Sequence, residues 1–173
     1  SVAAPIGLAF DSDGNLWTNN NVNSAVTKID SEGNKTVITI DIYNNSSLTV
    51  DNNDHIYVSD YGSGRIIKID SESGDQSQFT SLPLNSGGVG FVLYADGYFY
   101  ATAIADGVIF MIDVEGNTEI IAGKQGASGD KDGDGNQARF DRPLGIVASE
   151  DGQTLYVAQQ GGAGAIRVIT GFR

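Results

Sequence analysis

Short apolar runs, each followed by a turn rich in Asp, Gly and Asn, recur along the chain at residues 6–10, 47–50, 89–93 and 144–148. After each turn comes an aromatic or β-branched segment, such as HIYVS at 55–59. Short segments of this composition between turns are typical of β-strands. No segment sustains the 3.6-residue periodicity of an amphipathic helix. The pattern therefore predicts an all-β protein.

The same pattern repeats at a fixed spacing. FDSDGNLWTNN begins at Phe10, and the related VDNNDHIYVSD begins at Val50, 40 residues later. TKIDSEG at Thr27 and IKIDSES at Ile67 have the same offset, and two more copies follow in the second half of the chain. Two sets of residues hold matching places in the four copies: Ile29, Ile69, Ile112 and Val168, and Trp17, Tyr57, Tyr100 and Tyr156.

Each repeat predicts one four-stranded sheet. Such a sheet cannot bury both of its faces alone, whereas sheets packed radially share them. We therefore predict a β-propeller with four visible blades, which forms a single domain, or part of one, over the whole chain. The repeats lie at about 4–45, 46–86, 87–122 and 143–173, with an inter-blade junction at 123–142.

The fourth repeat stops after its third strand-like segment, IRVIT. We therefore expect the last blade to lack its outer strand. Three interpretations follow: the chain is part of a longer propeller, four blades close by themselves, or another copy supplies the strand. Because an unpaired sheet edge invites pairing with a second chain, a homo-oligomer formed through the open blade edge is one prediction.

The repeats also resemble a known family. PIGLAFDSDGNLW at 5–17, HIYVSDYGSGRIIKID at 55–70 and PLGIV with LYVAQ within 143–159 resemble the NHL-repeat family of β-propellers. GNLWTNNNVNSAVTKID is similar to blades of the virginiamycin B lyase type. The third copy departs most, since it lacks the opening Pro and the Arg before its third strand. The resemblance implies a propeller that usually has six blades, where this chain shows four.

The composition of the chain excludes several classes of partner and of catalytic site. The net charge of −12 repels nucleic-acid phosphates and anionic lipids, so we expect neither as a partner. The chain has no Cys, which removes disulfides, thiolate catalysis and Cys-type zinc sites. No apolar run of about 18 residues occurs, so we expect no membrane span. We expect an extracellular, periplasmic or cell-surface location.

The stretch GDKDGDGNQARFDRP at 129–143 contains D-x-D-x-D-G-x5-D, which is almost the spacing of a calcium loop. In this interpretation Gly135 allows the tight bend and Asn136 offers a backbone carbonyl. A bound Ca²⁺ would relieve the repulsion between the carboxylates. The candidate metal ligands are Asp130, Asp132, Asp134, Asn136 and Asp141.

The alternative for this stretch is structural. The NHL resemblance implies a junction of the form D-G-x-G-x-x-A-x-F-x-x-P-x-G, with the Phe in the core and the first Asp capping a turn. The matching residues are Asp132, Gly133, Gly135, Ala138, Phe140, Pro143 and Gly145.

Catalytic motifs are sparse. His55 is the only His, and one His cannot build a His-based zinc centre, so we interpret it as a strand residue at the surface. No G-x-S-x-G element is present. Pairs of carboxylates remain candidates for general acid–base catalysis. A propeller site draws residues from different blades, so spacing along the sequence does not show which carboxylates lie close together.

The loops after the second strand of each repeat are rich in amides and hydroxyls, and we expect them to share one face around the channel. They suit a polar ligand such as a glycan or peptide, although Asn, Gly and Ser are also the ordinary residues of loops. The candidate ligand-binding residues are Asn19, Asn20, Asn21, Asp60, Tyr61, Gln159 and Gln160.

Together these observations favour a non-enzymatic module that binds protein or glycan partners or assembles with itself. The alternative is a metal-dependent propeller enzyme, a lyase or a lactonase-type hydrolase, that uses carboxylates and a divalent cation.

Overall fold

The structure, a computed structural model, describes residues 2–173 and contains fifteen β-strands and one short 3₁₀ helix. The strands are β1 (Pro5–Phe10), β2 (Leu16–Asn20), β3 (Ala25–Ile29), β4 (Lys35–Thr39), β5 (Asn45–Val50), β6 (Ile56–Asp60), β7 (Arg65–Ile69), β8 (Gln76–Ser81), β9 (Val89–Ala95), β10 (Tyr98–Ala103), β11 (Val108–Ile112), β12 (Thr118–Gly123), β13 (Pro143–Ala148), β14 (Thr154–Gln159) and β15 (Ala165–Thr170). The 3₁₀ helix is Gly135–Gln137.

The strands form four antiparallel sheets in chain order. Three have four strands each, β1–β4, β5–β8 and β9–β12, and the last has only three, β13–β15. The first strands of neighbouring sheets contact each other in the sequence β1, β5, β9, β13. Sheets that pack in this way around a common axis form a β-propeller, and we call them blades 1 to 4. The predicted fold is confirmed, including the missing outer strand of the last blade.

Turns rich in Asp join the strands within each blade. In the turn between β11 and β12, one Asp113 carboxylate oxygen accepts hydrogen bonds from the backbone N–H groups of Glu115 and Asn117, at 3.0 and 2.8 Å. Gly116 supplies the positive φ of 87° that this turn requires. Asp30 and Asn34 repeat the arrangement between β3 and β4. The high Asp content therefore serves local turn formation.

Successive residues in a strand point to opposite faces, so each blade has two faces. The forward face points to the next blade along the chain, and the backward face points to the previous blade. Between blades 2 and 3, forward-facing Tyr57 meets backward-facing Phe99 with ring centroids 4.3 Å apart, and Phe79 stacks on Phe99 at 4.8 Å. Equivalent apolar clusters fill the spaces between blades 1 and 2 and between blades 3 and 4.

One of the matching sets proposed from the sequence is wrong by one residue. Val168 pairs with Tyr156 and is exposed, whereas Ile169 pairs with Leu155 and is buried. Ile169 therefore holds the place of Ile69 and Ile112. The error arose because β15 carries β-branched apolar residues on both faces, Ile166 and Val168 on one and Ile169 on the other, and a shift of one residue moves a side chain to the other face.

The ring of blades is open between its first and last members. Within residues 2–173 no strand contact comparable to those between consecutive blades joins β13 to β1. One face of blade 1 and one face of blade 4 are therefore left uncovered.

The junction before β13 packs across the space between blades 3 and 4. An isolated bridge pairs Lys131 with Arg139, and Ala138 and Phe140 are buried in the cluster between these blades. The core position predicted for Phe140 is confirmed.

Within the described residues, no helix has the length and apolar character needed to cross a lipid bilayer.

Candidate functional site

The loops between the second and third strands of each blade, and the connections between blades, lie at one end of the propeller, which we call the upper end. Backbone hydrogen bonds join these two sets of loops: Ile40 N–H donates to the Ser24 carbonyl at 2.8 Å, and Leu82 N–H donates to the Gly64 carbonyl at 3.0 Å. The turns within each blade at the opposite side of the sheets form the lower end. The upper end holds all seven residues predicted to bind a ligand.

Four of those seven side chains are buried and bonded within the protein. Asn19 donates to the Asn45 amide oxygen at 2.7 Å, linking blade 1 to blade 2. Asn20 donates to the Thr27 hydroxyl at 2.8 Å. Asp60 accepts from the Ser63 hydroxyl at 2.5 Å and from the Arg65 guanidinium at 3.3 Å. These side chains hold the loops of the upper end in place.

Gln159 has the same role in blade 4. Its amide oxygen accepts from the Arg167 guanidinium at 3.0 Å and from the Asp141 backbone N–H at 3.2 Å. Its amide nitrogen donates to Asp130 at 3.2 Å. Through these three hydrogen bonds from its two polar side-chain atoms, Gln159 anchors the junction to β14.

The other three predicted residues reach solvent. Asn21 is partly exposed and donates to the Asn45 carbonyl at 2.9 Å, and Tyr61 and Gln160 are exposed. Tyr61 N–H donates to the Asn44 carbonyl at 2.9 Å, so this loop lies against the connection between blades 1 and 2. Their role in ligand binding stays a prediction.

Sequence reasoning missed the most exposed aromatic residue of the upper end. Tyr43 lies in the connection between blades 1 and 2 and is 85% exposed. It lines a shallow groove of about 600 Å³ together with exposed Val22, and the other residues of the groove are Asn23, Ser24, Thr39, Ile40, Asp41 and Gln76. The signal was an aromatic residue followed by two Asn in DIYNN, a connection that is not one of the loops after the second strands.

One wall of this groove is held by two hydrogen bonds of Gln76. The Gln76 amide nitrogen donates to the Thr39 carbonyl at 2.8 Å, and its oxygen accepts from the Asp41 backbone N–H at 3.3 Å. The side chains of Tyr43, Val22 and Asn23 remain free to contact a ligand. The groove therefore combines an aromatic ring, an aliphatic surface and an amide, with Asp41 as the single charged residue of its lining.

The Asp-rich junction is arranged around Arg167. This guanidinium is buried and lies over the Phe140 ring, 4.7 Å from its centroid. It donates to Asp132 at 2.7 Å and to the Lys131 and Arg139 carbonyls at 3.1 and 2.8 Å, and Asp130 lies 3.6 Å away. Arg167 stands at the strand position of Ile67 and Phe110 in blades 2 and 3. A buried cation thus replaces an apolar residue and neutralises the junction.

The remaining predicted metal ligands do not bond to Arg167. Asp141 accepts from the Ser128 hydroxyl at 3.1 Å, and the Asn136 carbonyl accepts from Arg139 at 2.7 Å. Asp134 precedes the 3₁₀ helix without a side-chain capping bond. Across residues 2–173, no three His, Cys, Asp or Glu side chains form a group that fits a metal ion. Calcium binding stays a prediction, in which the ion would compete with Arg167 for Asp130 and Asp132.

His55 lies at the lower end, far along its blade from the upper loops. Its Nδ1 lies 3.2 Å from an Asp51 oxygen that also accepts from the Tyr57 hydroxyl at 3.0 Å. Burial, followed by the nearby Asp51 carboxylate, raises the pKa of Tyr57 above its ordinary value. His55 therefore belongs to a hydrogen-bonded cluster on Asp51.

A small acidic cleft of about 160 Å³ adjoins His55 between blades 1 and 2. Its lining includes Asp11, Asp13, Lys28, Asn53, Asp54, Asp70 and Glu72. Burial opposes ionisation of Asp11, but hydrogen bonds from Trp17 and Asn15 outweigh it and hold the pKa of this carboxyl below its ordinary value. Backbone and hydroxyl donors of Ser73 lower the pKa of Asp70. These two groups are therefore ionised at neutral pH and do not hold a proton for general acid catalysis.

Comparisons with known proteins agree with the architecture. No protein-family model and no curated protein matches the sequence. Solved structures do match. The chain is a β-propeller. A virginiamycin B lyase from Staphylococcus aureus is similar over 97% of this chain and 56% of its own, with a TM-score of 0.69 and 18% identity.

Two other similar structures have different functions. An auxiliary nutrient binding protein from Bacteroides ovatus has a TM-score of 0.80 and 16% identity, over 96% of this chain and 45% of its own. A gluconolactonase from Xanthomonas campestris has a TM-score of 0.77 and 18% identity, over 98% of this chain and 59% of its own. The chain spans about half the length of these propellers. At such identities the likeness establishes the fold alone, and membership of the NHL-repeat family stays a prediction.

Proposed function

We propose that the chain is a non-enzymatic binding module of an extracellular, periplasmic or cell-surface propeller, and that its ligand is a glycan or peptide held in the upper groove beside Tyr43. The observation that carries this proposal is an aromatic ring, 85% exposed, next to an exposed aliphatic side chain and a free amide. Exposed apolar surface at the rim of a concave site is typical of ligand recognition.

The chemistry of the groove suits a neutral polar ligand. The Tyr43 ring offers a flat apolar face for a sugar ring or a peptide side chain, and Asn23 offers both a donor and acceptors. The anchoring of Gln76 keeps the opposite wall in place before the ligand arrives. A preformed wall lowers the entropy cost of binding.

The similar structures lend support at the level of fold. One is described as an auxiliary nutrient binding protein, so a propeller of this shape serves as a binding protein elsewhere. The groove of this chain is formed by its own loops, and its ligand must be found by experiment.

A glycan array combined with titration calorimetry tests the proposal. We expect the wild-type chain to bind a subset of neutral oligosaccharides, and Tyr43→Ala to weaken binding about ten-fold through loss of stacking. Val114→Ala, an exposed apolar residue in a lower-end turn, should bind as the wild type does. Equal binding by Tyr43→Ala and wild type would place the ligand elsewhere.

A second candidate function is a lactonase or lyase acting with a divalent cation. It is favoured by the carboxylates of the lower cleft and by the gluconolactonase and lyase among the similar structures. Assays on simple lactones with added Ca²⁺, Mg²⁺ or Mn²⁺ separate the two functions. Turnover that Asp70→Asn abolishes would favour the enzyme, and we expect none.

A further inference from the structure

The two uncovered faces of the open propeller are apolar. The forward face of blade 4 exposes Val147, Tyr156, Ile166 and Val168. The backward face of blade 1 exposes Ile6, Leu8 and Phe10. Contiguous apolar surface of this kind marks an interaction site on a soluble protein.

Tyr156 and Ile166 on blade 4 occupy positions that are buried in the other three blades. Strand registers place Ile166 opposite Ala158, as Val26 lies opposite Asn19, Ile66 opposite Ser59 and Ile109 opposite Thr102. Val26, Ile66 and Ile109 are each 0% exposed, whereas Ile166 is 68% exposed. The forward face of blade 4 is thus built like the three forward faces that the next blade covers.

The backward face of blade 1 shows the same relation. Leu8 lies at the register position of Leu48, Val92 and Ile146. Those three residues are buried between blades, whereas Leu8 is 66% exposed. The chain therefore forms the same forward-to-backward interface three times and leaves one unpaired half at each end.

We propose that two copies of this chain associate head to tail, with the forward face of blade 4 of each copy packed on the backward face of blade 1 of the other. The interface continues the blade-to-blade packing already present three times in the chain. Two such contacts close a ring of eight blades, at the upper end of the range that propellers adopt, about 4–8 blades.

The open arc leaves both end faces accessible to a partner. The chain matches about half the length of larger propellers, in which further chain lies beyond an arc of this size. Within residues 2–173 the chain does not bring its own two end faces into contact. The partner of each face must therefore come from outside this arc.

The distribution of charge also supports the pairing. The chain contains 22 acidic residues, yet no charged residue stands among the forward-facing positions of β13, β14 and β15. The backward-facing positions of β1 and β2 are uncharged as well. Two copies of net charge −12 repel at long range, so added salt should strengthen the association by screening that repulsion.

Sedimentation equilibrium of the 173-residue chain over a range of concentrations, in low and high salt, tests the proposal. We expect a monomer–dimer equilibrium that tightens with salt. Ile166→Asp and Leu8→Asp should each weaken self-association at least about 100-fold, since either change buries a carboxylate without a partner. Both residues are exposed in the single chain, so thermal unfolding at low concentration should change little. Val114→Asp, in a lower-end turn, is the matched control.

Mixing the two variants tests the head-to-tail geometry. The Leu8→Asp chain keeps its blade 4 face and the Ile166→Asp chain keeps its blade 1 face, so the mixture should form a dimer with one intact interface. A chain that stays monomeric at high concentration would overturn the proposal, and would leave the faces to further blades of a longer polypeptide. Dimerisation that both aspartates leave unchanged, or that mixing does not restore, would overturn it as well.

Discussion

Leu48 and Leu8 occupy the same position in blades 2 and 1, and they show how neighbours decide burial. Leu48 is 4% exposed because blade 1 covers it, and Leu8 is 66% exposed because none of the described blades packs on the backward face of blade 1. The two residues share chemistry, strand position and register. Whether this leucine is a core residue or a surface residue therefore depends on the neighbouring blade that packs against it. The blade that carries the leucine has the same structure in both cases.

The aromatic residue of the second strand shows the same contrast at the other end. Trp17, Tyr57 and Tyr100 are buried under the following blade, whereas Tyr156 is exposed on blade 4. Each buried ring also has a polar partner. Trp17 donates to Asp11 at 2.9 Å, Tyr57 donates to Asp51 at 3.0 Å, and Tyr100 accepts from the C-terminal Arg173 at 2.9 Å. The buried positions thus pair the polar atom of the ring, as burial requires.

The largest expected difference in stability is between truncation of Leu48 and truncation of Leu8. We expect Leu48→Ala to lower the free energy of unfolding by about 2–5 kcal/mol, because it leaves a cavity between blades 1 and 2. Leu8→Ala should change it by less than about 0.5 kcal/mol when the chain is monomeric. Urea unfolding at low concentration measures both. Equal losses would mean that Leu8 is covered in solution even in the single chain.

A smaller loss should follow from adding a methyl group where a blade meets a neighbouring loop. A Cβ on Gly88 would lie 1.6 Å from the Tyr61 carbonyl oxygen, so Gly88→Ala must push the loop of blade 2 away from β9. We expect a loss of about 1–3 kcal/mol. Gly145 is the control, because a Cβ there meets nothing within 4 Å on the uncovered face of blade 4. Thermal unfolding of the two variants should differ clearly, and similar melting temperatures would contradict the tight contact.

The smallest effect concerns Asp106, which joins three loops of the upper end. It is buried and accepts from the Gln125 side chain at 2.7 Å and from the backbone N–H groups of Asn85 and Ser86 at 2.7 and 3.0 Å. Burial disfavours the charge, but these donors outweigh it and hold the pKa of this carboxyl below its ordinary value of 3.8. The charged form thus stabilises the fold.

Since the folded-state pKa is depressed, this contribution is complete above the unfolded pKa and is lost as pH falls through the folded pKa. Asp106→Asn should cost about 1 kcal/mol at pH 7 and less at acid pH. Urea midpoints of both proteins between pH 7 and pH 2 measure the difference. A gap between the two curves that stays constant down to pH 2 would show that the Asp106 charge does not contribute.

Several features followed from local pattern alone. The period of about 40 residues predicted the four blades, and the absence of a segment after IRVIT predicted the three-stranded last blade. These two features depend on turns and alternation, which act over a few residues. The core position of Phe140 came instead from the resemblance of the junction to NHL-repeat proteins, and Phe140 is buried.

The residues of the candidate site were harder to predict from the sequence than the fold. Asn19, Asn20 and Gln159 look like surface amides, yet each is buried and bonded to a side chain from another strand or blade. Tyr43 was overlooked because its connection carries no repeat signature. Whether a polar side chain faces a ligand or the protein interior depends on residues distant in the chain, and no local pattern contains that information.

The amino-acid sequence by itself determined the strands, the turns and the presence of two apolar faces on each blade, because alternation and turn chemistry act between near neighbours. Tertiary structure decided which of those faces are covered, which amides are free and how Arg167 neutralises the Asp-rich junction. Burial is a property of two sheets in contact, so identical positions become core or surface according to what packs against them.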